Sequence, residues 1–240
     1  AAAHRNSNVG SCRVAWRRAM AIANIAPRAG DSMTLRQFIA AQMRQPSGWF
    51  GSIVLRRVLN RMNIEIVEAT LRRLDLEPGH RVLEIGFGGG AALALVAGRL
   101  TTGVATGIDV SPEMVEGAER RFRREITEGR VRVQKGDVAR LSFPAASFDR
   151  VFTVNTIYFW PDTAGGLVEI RRVLRPGGIA VIALRSRENM ERAAFTRHGF
   201  RLFSAEELPP LMDGAGFRDV RVTHEKRGTR FDEVIVSGVA

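Results

Sequence analysis

The fold is decided by the nine residues Val82-Leu83-Glu84-Ile85-Gly86-Phe87-Gly88-Gly89-Gly90. The first four form a short apolar strand pattern that carries an acid near its end. The glycines that follow permit a tight turn and a close approach of a ligand to the backbone. The segment Ala91–Leu100 then predicts a helix, whose N-terminus offers N–H groups and a partial positive charge. The stretch predicts a ligand-binding strand–turn–helix unit, with a plain structural turn as the alternative.

Strands and helices alternate along the chain after this unit. This order predicts a parallel sheet with helices on both faces. Near the C-terminus, two strands are separated by a charged, glycine-containing segment, a spacing typical of a hairpin, so the last strand is expected to run antiparallel. The predicted strands are Arg81–Ile85, Val104–Val110, Val131–Gln134, Phe148–Val154, Ile179–Leu184, Phe217–Thr223 and Val234–Val239, and the predicted helices are Ile64–Leu74, Ala91–Leu100, Pro112–Thr127, Leu167–Leu174 and Ala205–Ala215.

Four polar residues stand at or near the ends of successive predicted strands: Glu84, Asp109, Asp137 and Asn155. Ligands of open α/β sheets bind beyond the carboxyl ends of the strands. A carboxylate in the position of Asp109 can accept hydrogen bonds from both ribose hydroxyls, which suits NAD and S-adenosylmethionine (SAM) equally, and it can also help to cap the next helix. A carboxylate in the position of Asp137 can accept from an adenine amino group. The pattern predicts a site for a nucleoside-containing cofactor.

With these residues, the sequence resembles the class I SAM-dependent methyltransferases. Within that family it is similar to the small-molecule branch that includes ubiquinone and menaquinone C-methyltransferases, and the resemblance covers residues 64–240. It implies an α/β fold: a Rossmann-like, seven-stranded, mostly parallel sheet with an antiparallel last strand, helices on both faces and an N-terminal helical cap. The motifs that carry it are Glu84–Gly90, Asp109, Gly136-Asp137, Leu141-Ser142-Phe143-Pro144 with Ser147-Phe148-Asp149, Asn155, and Leu174-Arg175-Pro176-Gly177-Gly178.

The resemblance implies SAM as the cofactor and assigns residues to its methionine part. Glu84 and the backbone of Gly86 and Gly88 would hold this part, and Asn155 would lie near its ammonium group through the backbone carbonyl. Phe87 departs from the family pattern, in which the residue between the first two glycines is small or polar.

The same resemblance assigns residues to the nucleoside part of SAM. Asp109 would accept from the ribose hydroxyls, and Val110 and Met114 would flank the adenine. Asp137 would accept from the adenine amino group, and the Val138 N–H would donate to a ring nitrogen.

Methyl transfer from a sulfonium asks the protein chiefly for proximity and alignment, because the methyl group is already activated. A base is needed only when the acceptor must lose a proton. No catalytic residue is assigned, and the candidates for such a base are Tyr158, His198 and Glu191. The alternative for His198 is a surface or partly packed histidine.

The acceptor is expected to be a small apolar or aromatic molecule such as a lipid, a quinone or a polyketide. The aromatic residues Trp49, Tyr158 and Trp160 are candidates to line its pocket, with ordinary core packing as the alternative. Arg185 follows the fifth strand, where it can meet an anionic group. The element of the acceptor that receives the methyl group, whether O, N, S or C, is left open.

Composition excludes several other classes of protein. The 240 residues carry a net charge of +11, yet the charges are dispersed, and only two of the 36 basic residues, Lys135 and Lys226, are lysines, so nucleic acid is not the expected partner. A single cysteine, Cys12, excludes an internal disulfide and a cysteine-based zinc site, and no metal ligand cluster stands out. No stretch is apolar enough for a membrane span. The cytoplasm is the expected location, and a homodimer stays open.

Three segments are expected along the chain. Residues 1–32 are arginine-rich and aperiodic, which favours a flexible extension or a start upstream of the natural Met33, with a transit segment or a native arm as alternatives. Residues 33–76 predict a helical cap, and residues 77–240 the SAM-binding domain.

Two rival functions share parts of this pattern. An NAD(P)-dependent oxidoreductase would share the glycines and Asp109, but it does not predict Asp137, Asn155 or an antiparallel last strand. A non-catalytic SAM-binding protein would keep every cofactor residue.

Overall fold

A computed structural model describes residues 63–192, 196, 199–227 and 231–240 of the chain. Its strands are β1 (Arg81–Ile85), β2 (Val104–Asp109), β3 (Val131–Lys135), β4 (Phe148–Val154), β5 (Leu174–Arg185), β6 (Arg218–Arg227) and β7 (Phe231–Val239). Its helices are α1 (63–73), α2 (Ala91–Arg99), α3 (Pro112–Arg121), α4 (Arg123–Thr127), α5 (Thr163–Val173), α6 (Arg187–Met190) and α7 (Leu208–Gly214), with a 3₁₀ turn over Ile157–Phe159.

All seven strands form one sheet in the order β3-β2-β1-β4-β5-β7-β6. Strands β1 to β5 pair in parallel, and β7 lies antiparallel between β5 and β6. The predicted mostly parallel sheet and its antiparallel last strand are confirmed. The order reverses between β1 and β4, which leaves a crevice beyond their carboxyl ends.

Helices cover both faces of the sheet, as predicted. Strand β4 shows the division, because the neighbouring side chains Val151 and Phe152 are fully buried on opposite faces. Phe152 belongs to a core shared with α1, α2 and α3. Val151 belongs to a core shared with α5 and α7.

Among the elements that differ from their predicted bounds, three have a clear structural reason. The helix predicted over Pro112–Thr127 is divided at Phe122, whose ring is buried. Helix α5 begins before the predicted start because the side chain of Asp162 caps it, accepting from the Gly165 N–H at 3.0 Å. Strand β5 begins early because Leu174 pairs in parallel with Phe148 of β4, and the Ala240 N–H donates to the Gly178 carbonyl at 2.8 Å.

Helix α1 packs directly on the sheet. Its side chain Ile66 is fully buried in the core that Phe152 shares, and the Arg150 Nε donates to the Leu74 carbonyl at 2.6 Å. The expected extension, residues 1–32, and the part of the expected cap before residue 63 lie outside the described residues. None of the helices in the described part of the chain has the length and apolarity that a membrane crossing requires.

Candidate functional site

The glycine turn after β1 is closed on one side and open on the other. Gly86 has a φ of 71°, and a Cβ there would stand 2.5 Å from the Thr156 Cγ2, so only glycine fits. Gly88 has a φ of 49°, and none of the described residues places an atom within 4 Å of the position where its Cβ would be. The backbone at Gly88 is therefore accessible to a ligand.

Asp109, at the end of β2, organises this turn. Its Oδ2 accepts from the Gly88 N–H at 2.9 Å, and its Oδ1 accepts from the Ser111 N–H at 3.0 Å. Burial raises the pKa of Asp109, although these amide hydrogen bonds act in the opposite direction. Each carboxylate oxygen still has lone-pair capacity for a second donor.

Glu84 provides a second buried carboxyl group at the same edge of the sheet, and this residue is 3% exposed. Burial and the negative charge of Asp109 raise its pKa to about 8, while a hydrogen bond from the Leu93 backbone amide and the charge of Arg121 lower it. Among the described residues, no group donates a hydrogen bond to the Glu84 Oε2. A buried acceptor without a donor is costly, so this oxygen is a candidate ligand contact.

Asn155 follows β4 in a strained backbone conformation, with a φ of 58°. Its side chain forms a polar ring with those of Asn63, Tyr158 and Arg185, which is closed through the Arg185 backbone N–H. The Asn155 Nδ2 and the Arg185 Nη2 both donate to the Asn63 Oδ1 at 3.2 Å. The Tyr158 hydroxyl donates to the Asn155 Oδ1 at 3.1 Å and accepts from the Arg185 N–H at 2.6 Å. The polar ring fixes the end of β4 against the end of β5.

The Tyr158 side chain holds Asn155 and Arg185 in place. Its hydroxyl is buried, lies 3.0 Å from the Arg185 carbonyl, and is engaged by the polar ring. Burial raises the pKa of the phenol, so it keeps its proton at neutral pH. This environment does not suit a general base.

The residues assigned to the nucleoside part of SAM lie around the ends of β2 and β3. The Gly136 N–H donates to the Asp109 carbonyl at 3.0 Å, which joins the two loops. Val110 is 44% exposed, while Met114 is buried in the core. The exposed Asp137 accepts from the Ala139 N–H at 3.0 Å, and its neighbour Val138 is buried.

Other candidate residues lie elsewhere or outside the described part. Trp160 is buried in the core, where its Cε3 would stand 3.1 Å from a Cβ at Gly166 of α5. Glu191 is exposed beyond α6. Trp49 and His198 lie outside the described residues. In the described ranges, no group of three or more His, Cys, Asp or Glu side chains is placed to hold a metal ion.

The departure at Phe87 is explained by packing. Phe87 is buried, and a Cβ at Gly107 of β2 would stand 2.7 Å from the Phe87 Cδ1. The phenyl ring therefore uses the space that this glycine leaves. Sequence reasoning missed Asn63 altogether, because its partners are distant in sequence and no motif marks it.

The comparisons with known proteins agree with this geometry. The family described as "Methyltransferase domain" matches residues 83–182. An uncharacterised methyltransferase of Bacillus subtilis, YdaC, is 31% identical over 153 residues, which are 64% of this chain and 80% of that protein. Methyltransferase GfsG of Streptomyces halstedii is 33% identical over 174 residues, 69% of this chain and 62% of that protein.

A third relative is a rice chloroplast 2-methyl-6-phytyl-1,4-hydroquinone methyltransferase, 30% identical over 201 residues, which are 81% of this chain and 56% of that protein. The chain thus spans about three fifths of the length of two of these relatives. A solved SAM-dependent methyltransferase from Aquifex aeolicus has the same fold, with a TM-score of 0.61 and 23% identity over 74% of this chain and 92% of that one. The chain belongs to the class I SAM-dependent methyltransferases.

Proposed function

We propose that this protein transfers the methyl group of SAM to a small apolar or aromatic molecule by in-line displacement. The observation that carries the proposal is the arrangement of groups at one edge of the sheet. It gathers an open glycine backbone at Gly88, the buried acceptor of Glu84 and the organised carboxylate of Asp109. SAM, when bound, supplies the activated methyl group, so the residues of the chain bind and align.

Glu84 and the glycine turn fit the methionine part of SAM. The Glu84 carboxyl has a buried oxygen to which no described residue donates, and a cationic ligand would favour its ionised form. Gly86 and Gly88 would present their backbone to the ligand, since both have a positive φ that disfavours a side chain, and the space beside Gly88 is open. Asn155 would present its backbone carbonyl, and the polar ring supports that conformation.

The nucleoside part of SAM suits the loops after β2 and β3. Asp109 would accept from the ribose hydroxyls with the lone pairs that Gly88 and Ser111 leave unused. The exposed Val110 would flank the adenine, with Met114 in the core beneath. Asp137 and the Val138 N–H would bind the edge of the base.

The acceptor is proposed to be an apolar or aromatic small molecule, with no nucleic acid. The hydroquinone named for the rice relative supports this class. Arg185, half-buried at the end of β5, would orient an oxygen of the acceptor. Tyr158 would act through the polar ring, because its hydroxyl is engaged by Asn155 and Arg185.

Calorimetric titration tests the cofactor assignment in the full chain. SAM and its demethylated product, S-adenosylhomocysteine (SAH), should bind with micromolar affinity, and NADH should not bind. The Asp109→Asn variant should bind SAH at least about tenfold more weakly. Its side-chain amide is a poorer acceptor than a carboxylate, and its NH2 group would face an N–H donor of Gly88 or Ser111. Asp213→Asn, a change on the exposed surface of α7, is the matched control and should bind normally.

Binding of NADH alone would contradict the proposal and favour an oxidoreductase. If SAH binds, labelled SAM is then offered with alkylated hydroquinones, phenols and aromatic acids. Label in an extracted product supports methyl transfer, while SAH binding without transfer to any of these acceptors would favour a non-catalytic SAM-binding protein.

A further inference from the structure

The glycine turn is also contacted by the C-terminal end of α3. The Arg121 Nη1 donates to the Gly89 carbonyl at 2.5 Å, and its guanidinium lies 5.1 Å from the centroid of the Phe122 ring. The same ring stands beside Gly90, where a Cβ would come within 2.8 Å of the Phe122 Cε2. Two consecutive residues of one helix end thus contact two consecutive glycines of the turn.

This turn needs support from outside its own sequence. Three successive glycines, Gly88 to Gly90, lose more conformational freedom on folding than any other residues would. Gly90 is the N-cap of α2, with a φ of 69° and no side-chain hydrogen bond to cap the helix. The turn is held instead by three hydrogen bonds. The Gly90 N–H donates to the Phe87 carbonyl at 2.8 Å, Asp109 accepts from the Gly88 N–H, and Arg121 donates to the Gly89 carbonyl.

We infer that Arg121 is a positioning residue of the cofactor site, which holds the glycine turn in the conformation that receives the methionine part of SAM. The inference rests on the proposed function. The Arg121 guanidinium donates to the Gly89 carbonyl of the turn, while the Asp109 carboxylate accepts from the Gly88 N–H. The turn is therefore fixed at two adjacent residues, Gly88 and Gly89, by two different elements, β2 and α3. The charge of Arg121 also opposes the rise in the pKa of Glu84.

Arg120 is the matched control for this inference. It occupies the same last turn of α3, where any cation interacts favourably with the helix dipole. Its own contact is an ion pair with Glu116 at 3.8 Å, in which both side chains are about two thirds exposed (64% and 66%). A change at Arg120 removes one positive charge from the same helix end and leaves the glycine turn untouched.

The test measures SAH affinity by calorimetry and amide hydrogen exchange over residues 86–93 in the full chain. Arg121→Ala should weaken SAH binding about fivefold and speed exchange in this segment, because a charge-assisted hydrogen bond to the turn is lost. Arg121→Lys should recover most of the affinity, since it keeps the positive charge and a donor. Arg120→Ala should match the unaltered protein in both measurements.

The inference is overturned if Arg121→Ala changes neither quantity, or if Arg120→Ala weakens binding equally. Thermal unfolding without ligand shows whether each variant is folded. If the alanine variant is unfolded, Arg121→Lys is used for the same two measurements. Failure of the unaltered protein to bind SAH would instead reject the proposed function. Hydrogen exchange would still show whether Arg121 holds the turn.

Discussion

Glu84 shows how burial sets the chemistry of a single carboxyl group. Its folded-state pKa, about 8, lies above the ordinary value of 4.5, so the folded protein retains a proton that the unfolded chain loses. This contribution to stability is complete below about pH 4.5 and is lost as the pH rises towards 8, with a slope of up to about 1.4 kcal/mol per pH unit.

The Glu84→Gln variant should therefore lose this pH dependence. Glutamine is neutral throughout, so its free energy of unfolding without ligand should vary less between about pH 5 and pH 8 than that of the unaltered protein. Urea unfolding at several pH values measures the slope. Glu119→Gln, a change at an exposed carboxyl of α3, should leave the slope as it is. Parallel curves for the Glu84→Gln variant and the unaltered protein would contradict the assigned burial.

At the scale of the element, the start of α3 links helix capping to the site. The Ser111 Oγ accepts from the Met114 N–H at 3.3 Å and donates to the Glu113 carboxylate at 2.7 Å, while the Ser111 N–H binds Asp109. Ser111→Ala should lower the free energy of unfolding by about 1 kcal/mol, because the capping acceptor is lost. Equilibrium urea unfolding measures it, and a loss below about 0.3 kcal/mol would show that the cap is dispensable.

The whole molecule should unfold as one unit, because β4 contributes to both cores. Phe152→Ala on one face should cost about 3–5 kcal/mol and Ile170→Ala on the other about 2–5 kcal/mol, both residues being fully buried. Circular dichroism and tryptophan fluorescence should give coincident transitions for each variant. Val168→Ala, at a position 51% exposed on α5, should change stability by less than about 0.5 kcal/mol. Separate transitions would mean that the two faces fold independently.

The predicted and observed elements differ where tertiary contacts override local pattern. Strand β5 begins at Leu174, across a proline and two glycines, because Leu174 pairs with Phe148 of β4 and the Ala240 N–H donates to the Gly178 carbonyl. The apolar side chain of Phe122 continued the predicted helical pattern, yet its burial beside Gly90 coincides with the division between α3 and α4. Local propensity cannot show such contacts, since each depends on a residue far away in the chain.

The sequence by itself determined the α/β order, the antiparallel last strand and the family, because strand ends, glycines and polar residues recur at spacings that local chemistry makes recognisable. It also placed Glu84, Asp109, Asp137 and Asn155 at one edge, since parallel strands share the direction of their carboxyl ends. Only the tertiary structure decided that Asn63 completes the polar ring and that Arg121 reaches the glycine turn. The physical reason is distance along the chain: folding alone brings these groups within hydrogen-bond range.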